Sequence, residues 1–274
     1  MSSGLRERMG IDFGPRLRLE DAITWASENG VRYLDVRLGD AGNEFETFDA
    51  ERIQRARALL ERHGLHLGLH TLSAVNMAET APFLSEAVDR YLTSYLDLAG
   101  PLGAEWIVVH AGYHFTADYE RRKRKGLERL QRVCDHAEGR GVRLLLENMN
   151  PEPTDAEVRY LAHDVEECRY YFDHLTSPNL GWSYTINHAH MLPVGIEGFT
   201  KAFDLARCGE VRVADNKGDK EEHLRVGEGT IDFKAAFAAI EGAGYRGHYM
   251  LAFGTLDDMK EGREKLVAMI AGQA

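Results

Sequence analysis

Glu147 ends the run VRLLLEN (142–148), an alternating apolar stretch that sends a carboxylate and the amides of Asn148 and Asn150 out just before the prolines of NPEP. His70 stands in the same position in LHLGLHT (65–71), and His110 does so in EWIVVHA (105–111). Side chains alternate between the two faces of a strand, so Leu65, Leu67 and Leu69 take one face and His66, Gly68 and His70 the other. By the same rule His110 shares a face with Trp106 and Val108, and Glu147 shares one with Leu145. A carboxylate beside imidazoles is equipment for moving protons near neutral pH. A single strand-end histidine is more often a hydrogen-bonded core residue, but three aligned strand ends shift that balance. His188 and His190 of TINHAHM, and Lys217, Asp219, Glu221 and His223 of ADNKGDKEEHLRVGEG, extend the set to a polar ring.

The elements that must carry this ring read as a regular alternation. Strand patterns fall at 9–13, 31–38, 65–71, 105–111, 142–148, 179–186, 210–216 and 248–254. Helical patterns follow at 19–29, 49–63, 82–102, 118–139, 164–174, 196–207, 232–243 and 258–272. Gly30, Gly64, Gly103, Gly141 and Gly244 stand between a helix pattern and the next strand, where a left-handed cap is expected. Eight strands alternating with eight helices predict an α/β fold, a (β/α)8 TIM barrel forming a single domain over residues 1–274, with its active site at the C-terminal strand ends. An open doubly wound sheet is the alternative, but no GxGxxG opens the first helix.

Composition narrows the partners. The formal charge of −11 repels a nucleic acid backbone and favours a small-molecule substrate. The basic run RRKRK (121–125) lies in a helical pattern and reads as a solvated face. Cys134, Cys168 and Cys208 form no CxxC or paired pattern, so neither a disulfide framework nor a thiolate site is indicated. The N-terminus has no apolar signal region and no stretch has the length of a membrane span, so the expectation is a cytoplasmic protein without a membrane partner.

The stretches LGLHTLSAVNMA, GAEWIVVHAGY, LLLENMN, NLGWSYTINHAH and VRVADNKGDKEEHLRVGEGTIDF together resemble the strand ends of the xylose isomerase-like TIM barrels, a group that includes sugar isomerases and epimerases and the apurinic-site endonucleases. The resemblance covers almost the whole chain and is most specific in the last stretch. It implies a divalent metal held by a Glu of strand five, an Asp of strand six, a His of strand seven and a Glu of strand eight. Glu147 matches the first, but the others fall on Thr185, Arg212 and Phe253, while the His of the strand-six motif matches His188. Two alternatives follow. A single Zn, Mn or Co ion sits instead at His70, His110 and Glu147, which resemble a second metal position of the endonucleases, with His188, Glu221 and His223 resembling a third. Or the protein uses no cofactor, and Arg212 supplies fixed positive charge that would itself repel a cation.

The resemblance implies proton abstraction beside a carbonyl, with Glu147 as general base, Arg212 and Lys217 stabilising the oxyanion, and His188 and His223 shuttling protons. His70, His110, Asn148 and Glu152 would contact substrate. Asp35 and Arg37 are expected as an inward salt bridge beside Tyr33, Trp106 and Trp182 as core or rim aromatics, and Asp232 as a helix cap. The expected function is a sugar isomerase or epimerase acting on a carbohydrate or similar polyhydroxy carbonyl compound. The alternatives are a lyase that expels a β-leaving group, a metal-dependent phosphodiesterase, and a non-catalytic sugar-binding barrel. The family's frequent dimers and tetramers leave a homo-oligomer open.

Overall fold

A computed structural model describes residues 2–272. After a short helix α1 (Ser2–Glu7), the barrel strands and their helices alternate: β1 (Met9–Gly14), α2 (Leu19–Glu28), β2 (Tyr33–Val36), α3 (Ala50–His63), β3 (His66–His70), α4 (Pro82–Leu102) and β4 (Ala104–Val109). A short strand β5 (Tyr113–Phe115) and helix α5 (Tyr119–Ala137) precede β6 (Arg143–Glu147). Then come β7 (Val158–Tyr160), α6 (Val165–His174), β8 (Leu180–Thr185), α7 (Ile186–His190), α8 (Gly195–Ala202), β9 (Cys208–Val213), α9 (Phe233–Gly242), β10 (His248–Leu251) and α10 (Leu256–Ala271). Eight parallel strands close in the order β1-β2-β3-β4-β6-β8-β9-β10 and back to β1. The chain therefore folds as a TIM barrel.

The period-two alternation of each strand explains the layering. Ile11, Phe13, Leu34, Leu67, Leu69, Ile107, Leu144, Leu146, Val211 and Val213 point outward into one continuous core shared with the helices. The inner face holds a smaller apolar plug of Trp106, Val108, Leu145 and Met250, with Tyr33 stacked between His66 and His248 at ring separations of 4.6 and 4.4 Å. Gly68 makes room for this plug, since a Cβ there would lie 2.1 Å from the Trp106 ring. Above the plug, towards the C-terminal strand ends, the barrel is filled by charge: Asp35 and Glu210 are fully buried and Arg212 is 1% exposed.

Local signals account for most boundaries. Asp49 caps α3 by accepting from Arg52 N, and Asp232 caps α9 by accepting from Ala235 N. Gly64 and Gly103 end their helices with φ of 62° and 77°. The RRKRK run lies on α5, but it is not wholly solvated: Arg122 is buried against Asp118. Three features depart from the sequence expectation. Ile186 begins a helical turn rather than ending a strand. The expected helix 196–207 breaks at Phe203, whose ring packs 5.0 Å from that of Trp182. The two-stranded sheet of β5 and β7, antiparallel from Tyr113↔Tyr160 to Phe115↔Val158, was not visible because each strand has three residues and its partner lies over forty positions away. Among the described residues no helix is long and apolar enough to cross a membrane.

Candidate active site

The C-terminal ends of the barrel strands enclose a cavity of about 320 Å³, and His70, His110, Glu147, His188 and His223 all line it. His70 Nε2, His110 Nε2 and Glu147 Oε2 converge: the carboxylate oxygen lies 3.3 Å from the first nitrogen and 3.2 Å from the second, and the two nitrogens are 3.4 Å apart. The proton inventory makes this contact informative. The Thr71 hydroxyl gives its only hydrogen to Val108 O at 3.0 Å, so towards His110 Nδ1, 3.2 Å away, it accepts. His110 therefore carries its hydrogen on Nδ1 and turns the lone pair of Nε2 towards a carboxylate oxygen, an arrangement that needs a proton or a cation between them. Three donor atoms of a tetrahedral zinc site with bonds of about 2.0–2.1 Å stand roughly 3.3 Å apart, so this set fits a divalent ion. Asp12 Oδ2, 3.5 Å from His70 Nδ1, and the Thr71 hydroxyl are the outer partners that such imidazole ligands ordinarily have.

Electrostatics favours positive charge at this point. Burial opposes protonation of His70, as does Arg212, but hydrogen bonds to Asp12 and Glu147 outweigh both and raise its pKa to about 9. Burial pushes the Glu147 carboxyl up, yet His110, His70 and the Arg212 charge hold it well below the usual range. Burial lowers the pKa of His110. Thr185 donates to Glu147 Oε1 at 2.6 Å, so both carboxylate oxygens are engaged.

Arg212 does not project into this cavity as a free cation. One terminal nitrogen is 2.7 Å from Asp35 and 3.2 Å from Glu210, and the other bonds Asp12; Nε is 3.8 Å from Glu147. Four buried carboxylates thus surround one guanidinium, and its charge is more than compensated. Burial and repulsion from Glu210 raise the Asp35 pKa against the pull of Arg212. Arg212 still opposes positive charge at His70 and His110, as expected, but it does so as a buried counterion whose own charge is offset by the surrounding carboxylates. The four-ligand arrangement of the related sugar isomerases does not fit, because Arg212 and Phe253 offer no lone pair and the Thr185 hydroxyl is committed to Glu147.

Beside Glu147, His188 Nδ1 donates to Asn148 O at 2.7 Å, which leaves the Nε2 lone pair 3.5 Å from Glu221 Oε2, itself without a hydrogen bond. His223 Nε2 lies 3.3 Å from Glu221 Oε1, and its ring stacks on Phe253 at 3.5 Å. His188, Glu221 and His223 thus form a second group of convergent donors. Burial lowers the His223 pKa against the pull of Glu221.

Other expected contacts fall elsewhere. The Asn148 amide is spent on structure, accepting from Trp182 Nε1 and Thr185 N and donating to Thr185 O, with 1% of the residue exposed. Lys217 reaches outward to Glu222 at 3.7 Å and does not line the cavity. Glu152 accepts from Asn150 Nδ2 at 2.8 Å and lines a neighbouring depression beside Tyr160. Asp35 pairs with Arg212 rather than Arg37, whose partner is Asp40 at 2.6 Å, because Arg37 stands beyond the strand end at the rim. Sequence reasoning passed over Asp12 and Glu210. The alternation in MGIDFG, which turns Ile11 and Phe13 outward, carried the signal for Asp12, and Glu210 lies two residues before inward-facing Arg212.

Comparison with known proteins agrees with this architecture. The family model described as xylose isomerase-like TIM barrel matches residues 23–269. An uncharacterized protein of Methanocaldococcus jannaschii is 27% identical over 78% of this chain and 78% of its own length. A probable endonuclease 4 of Mycobacterium leprae is 23% identical over 84% of this chain and 89% of its own. Among solved structures, a D-tagatose 3-epimerase-like protein superposes with a TM-score of 0.83 at 20% identity, covering 97% of this chain and 99% of that one. A D-psicose 3-epimerase of Clostridium cellulolyticum gives 0.77 at 14% identity, covering 97% and 98%. With the family model matched over most of its length and the closed parallel barrel in place, the chain belongs to the xylose isomerase-like TIM barrel family.

Proposed function

We propose that the protein is an isomerase or epimerase that enolises a small polyhydroxy carbonyl compound of the carbohydrate class. The observation that carries this reading is the convergence of His70 Nε2, His110 Nε2 and Glu147 Oε2 within 3.2–3.4 Å in one cavity with His188, whose Nδ1 is 3.9 Å from Glu147. His70, His110 and Glu147 would hold one divalent cation. When bound, such an ion polarises a carbonyl and stabilises the negative charge that develops on its oxygen. Glu147, engaged at both oxygens and held well below the usual carboxylate range, is a poor proton acceptor, so its role here is to hold charge rather than to act as the base. His188 takes that role. Its Nδ1 is fixed to a backbone carbonyl, its Nε2 carries the lone pair, and Glu221 faces the imidazolium that forms when a proton leaves the carbon beside the carbonyl. Where that proton returns decides between isomer and epimer, and loss of a β-substituent from the same intermediate would give the lyase outcome.

The test is exchange of carbon-bound hydrogen in D2O, followed by NMR, with D-fructose, D-tagatose and D-allulose and their phosphorylated and carboxylated forms in the presence of Mn, Co or Zn. Deuterium entering beside the carbonyl, and lost in His188→Gln, is the expected result. Folded, metal-loaded protein that exchanges none of them overturns the reading. The second donor cluster, His188, Glu221 and His223, favours one other reading, metal-dependent phosphodiester hydrolysis; cleavage of a duplex carrying an abasic site would establish it in place of the first.

A further inference from the structure

Arg16 and Arg37 are two cavity-lining cations with no part in the proton-transfer groups. Arg16 follows β1 and Arg37 follows β2. In the closed order of strands these ends lie across the mouth from those of β6 and β8, which carry Glu147 and lead to His188. The Arg16 guanidinium is fixed by backbone: Nε donates to Gly254 O at 3.0 Å, and Nη1 to Phe13 O at 3.2 Å and Asp12 O at 3.4 Å. Carbonyls orient a cation without neutralising it. Among the described residues Arg16 has no carboxylate within ion-pair distance, and its Nη2 makes no hydrogen bond. The fold accommodates this pose at Gly14, which has a φ of 51° and whose missing Cβ would stand 3.1 Å from Arg16 Nη1. Arg37 uses Nε and Nη2 on Asp40, at 3.5 and 2.6 Å, and leaves Nη1 free.

The cavity is therefore polarised. Its floor holds four carboxylates, Asp12, Asp35, Glu147 and Glu210, against the charges of Arg212 and His70, whereas this side of its rim presents Arg16, which no carboxylate offsets, and Arg37, which is paired with Asp40 but keeps one terminal nitrogen uncommitted. An anion is repelled from the floor and attracted to the rim, and a ligand with one charged end and one neutral carbonyl end has a single favourable orientation. Arginine suits this task because its planar donors pair with carboxylate or phosphate oxygens.

We infer that the substrate carries a terminal anionic group, a phosphate or a carboxylate, that Arg16 and Arg37 bind while the carbonyl end reaches His188 and Glu147. This deepens the proposed function and rests on it for the carbonyl end alone; the anion subsite stands on the rim geometry. Isothermal titration calorimetry with D-fructose, D-fructose 6-phosphate and D-fructuronate tests it on the wild-type protein and on Arg16→Gln and Arg37→Gln. The expected result is that at least one anionic sugar binds about tenfold or more tighter than D-fructose, that this preference weakens as salt is raised, and that each variant cuts it to a few-fold. Which of the two is preferred identifies phosphate or carboxylate. Equal binding of neutral and anionic sugars, a preference that survives both substitutions, or no binding of either anionic sugar overturns the inference. Anion preference without deuterium exchange would leave the rim subsite standing and remove the proposed reaction, so the two failures are distinguishable.

Discussion

Glu147 accepts from Thr185 at one oxygen and meets His70 Nε2 and His110 Nε2 at the other, and this crowding separates holding a cation from accepting a proton. Two substitutions tell the roles apart. Glu147→Gln should abolish retention of about one equivalent of divalent metal, read by elemental analysis, and reduce exchange by about 10²-fold or more. His188→Gln should keep the metal and lose exchange by about 10²–10⁴-fold, the usual contribution of a positioned general base. If both variants keep the ion, the ligand assignment is wrong. Arg212 makes a different prediction, because removing the guanidinium that lies among Asp12, Asp35, Glu147 and Glu210 leaves more buried negative charge than His70 alone can offset. Arg212→Met should cost about 3–5 kcal/mol in urea denaturation, far more than an exposed ion pair is worth. A midpoint close to wild type would show that the carboxylates neutralise by taking up protons instead.

At the scale of elements, ion pairs also join the helices that ring the barrel. Glu20 on α2 receives two hydrogen bonds from Arg52 on α3, at 2.8 and 3.0 Å, and Arg52 is nearly buried beneath them. Burial of Glu20 raises its pKa, but the Arg52 hydrogen bond outweighs this and the net shift is downward from 4.5. A carboxyl with a depressed folded-state pKa stabilises the fold above its unfolded value, and that contribution is lost as pH falls through the folded value. Glu20→Gln should therefore lower stability by about 1–2 kcal/mol near pH 7, a figure kept small because Glu20 is partly solvated. The difference from wild type should shrink below about pH 4.5, read as converging urea midpoints. Persistence of the full difference in acid would mean that the pair acts through packing rather than charge.

For the whole molecule, a cation at the mouth would tie the ends of β3, β4 and β6 together, because His70, His110 and Glu147 come from three adjacent strands. A ligand that binds only the folded chain stabilises it by RT ln(1 + [L]/Kd), about 2.7 kcal/mol at a hundredfold excess over Kd. In a chain of this size such an increment raises Tm by roughly 5–10 °C or less, with about 2–4 °C expected per kcal/mol. Adding Zn, Mn or Co to chelator-treated protein should reproduce that rise in a thermal melt, and Glu147→Gln should not respond. A wild-type melt indifferent to all three metals would remove the ligand assignment.

The strand and helix succession was legible in the chain because each element's environment is set by its own periodicity: one apolar face outward under helices, and glycine or aspartate at the joins. That alternation also placed His70, His110 and Glu147 on the inner face at neighbouring strand ends. What it could not decide were the partners of inward charges. Arg212 meets Asp12 and Asp35, 200 and 177 positions away, only because the barrel closes β10 onto β1 and so brings β1 and β2 within reach of β9 through the barrel interior. The Asp35–Arg37 pair looked natural along one strand, but an arginine two residues on stands at the rim, while Asp35 faces the centre. The same closure turned Asn148 from a candidate ligand contact into a clamp on Thr185 and Trp182, and left Lys217 outside. Local sequence determined which residues face inward. Only the tertiary structure decided which charges neutralise one another and which donor atoms remain free for a ligand, because those depend on contacts that no single strand contains.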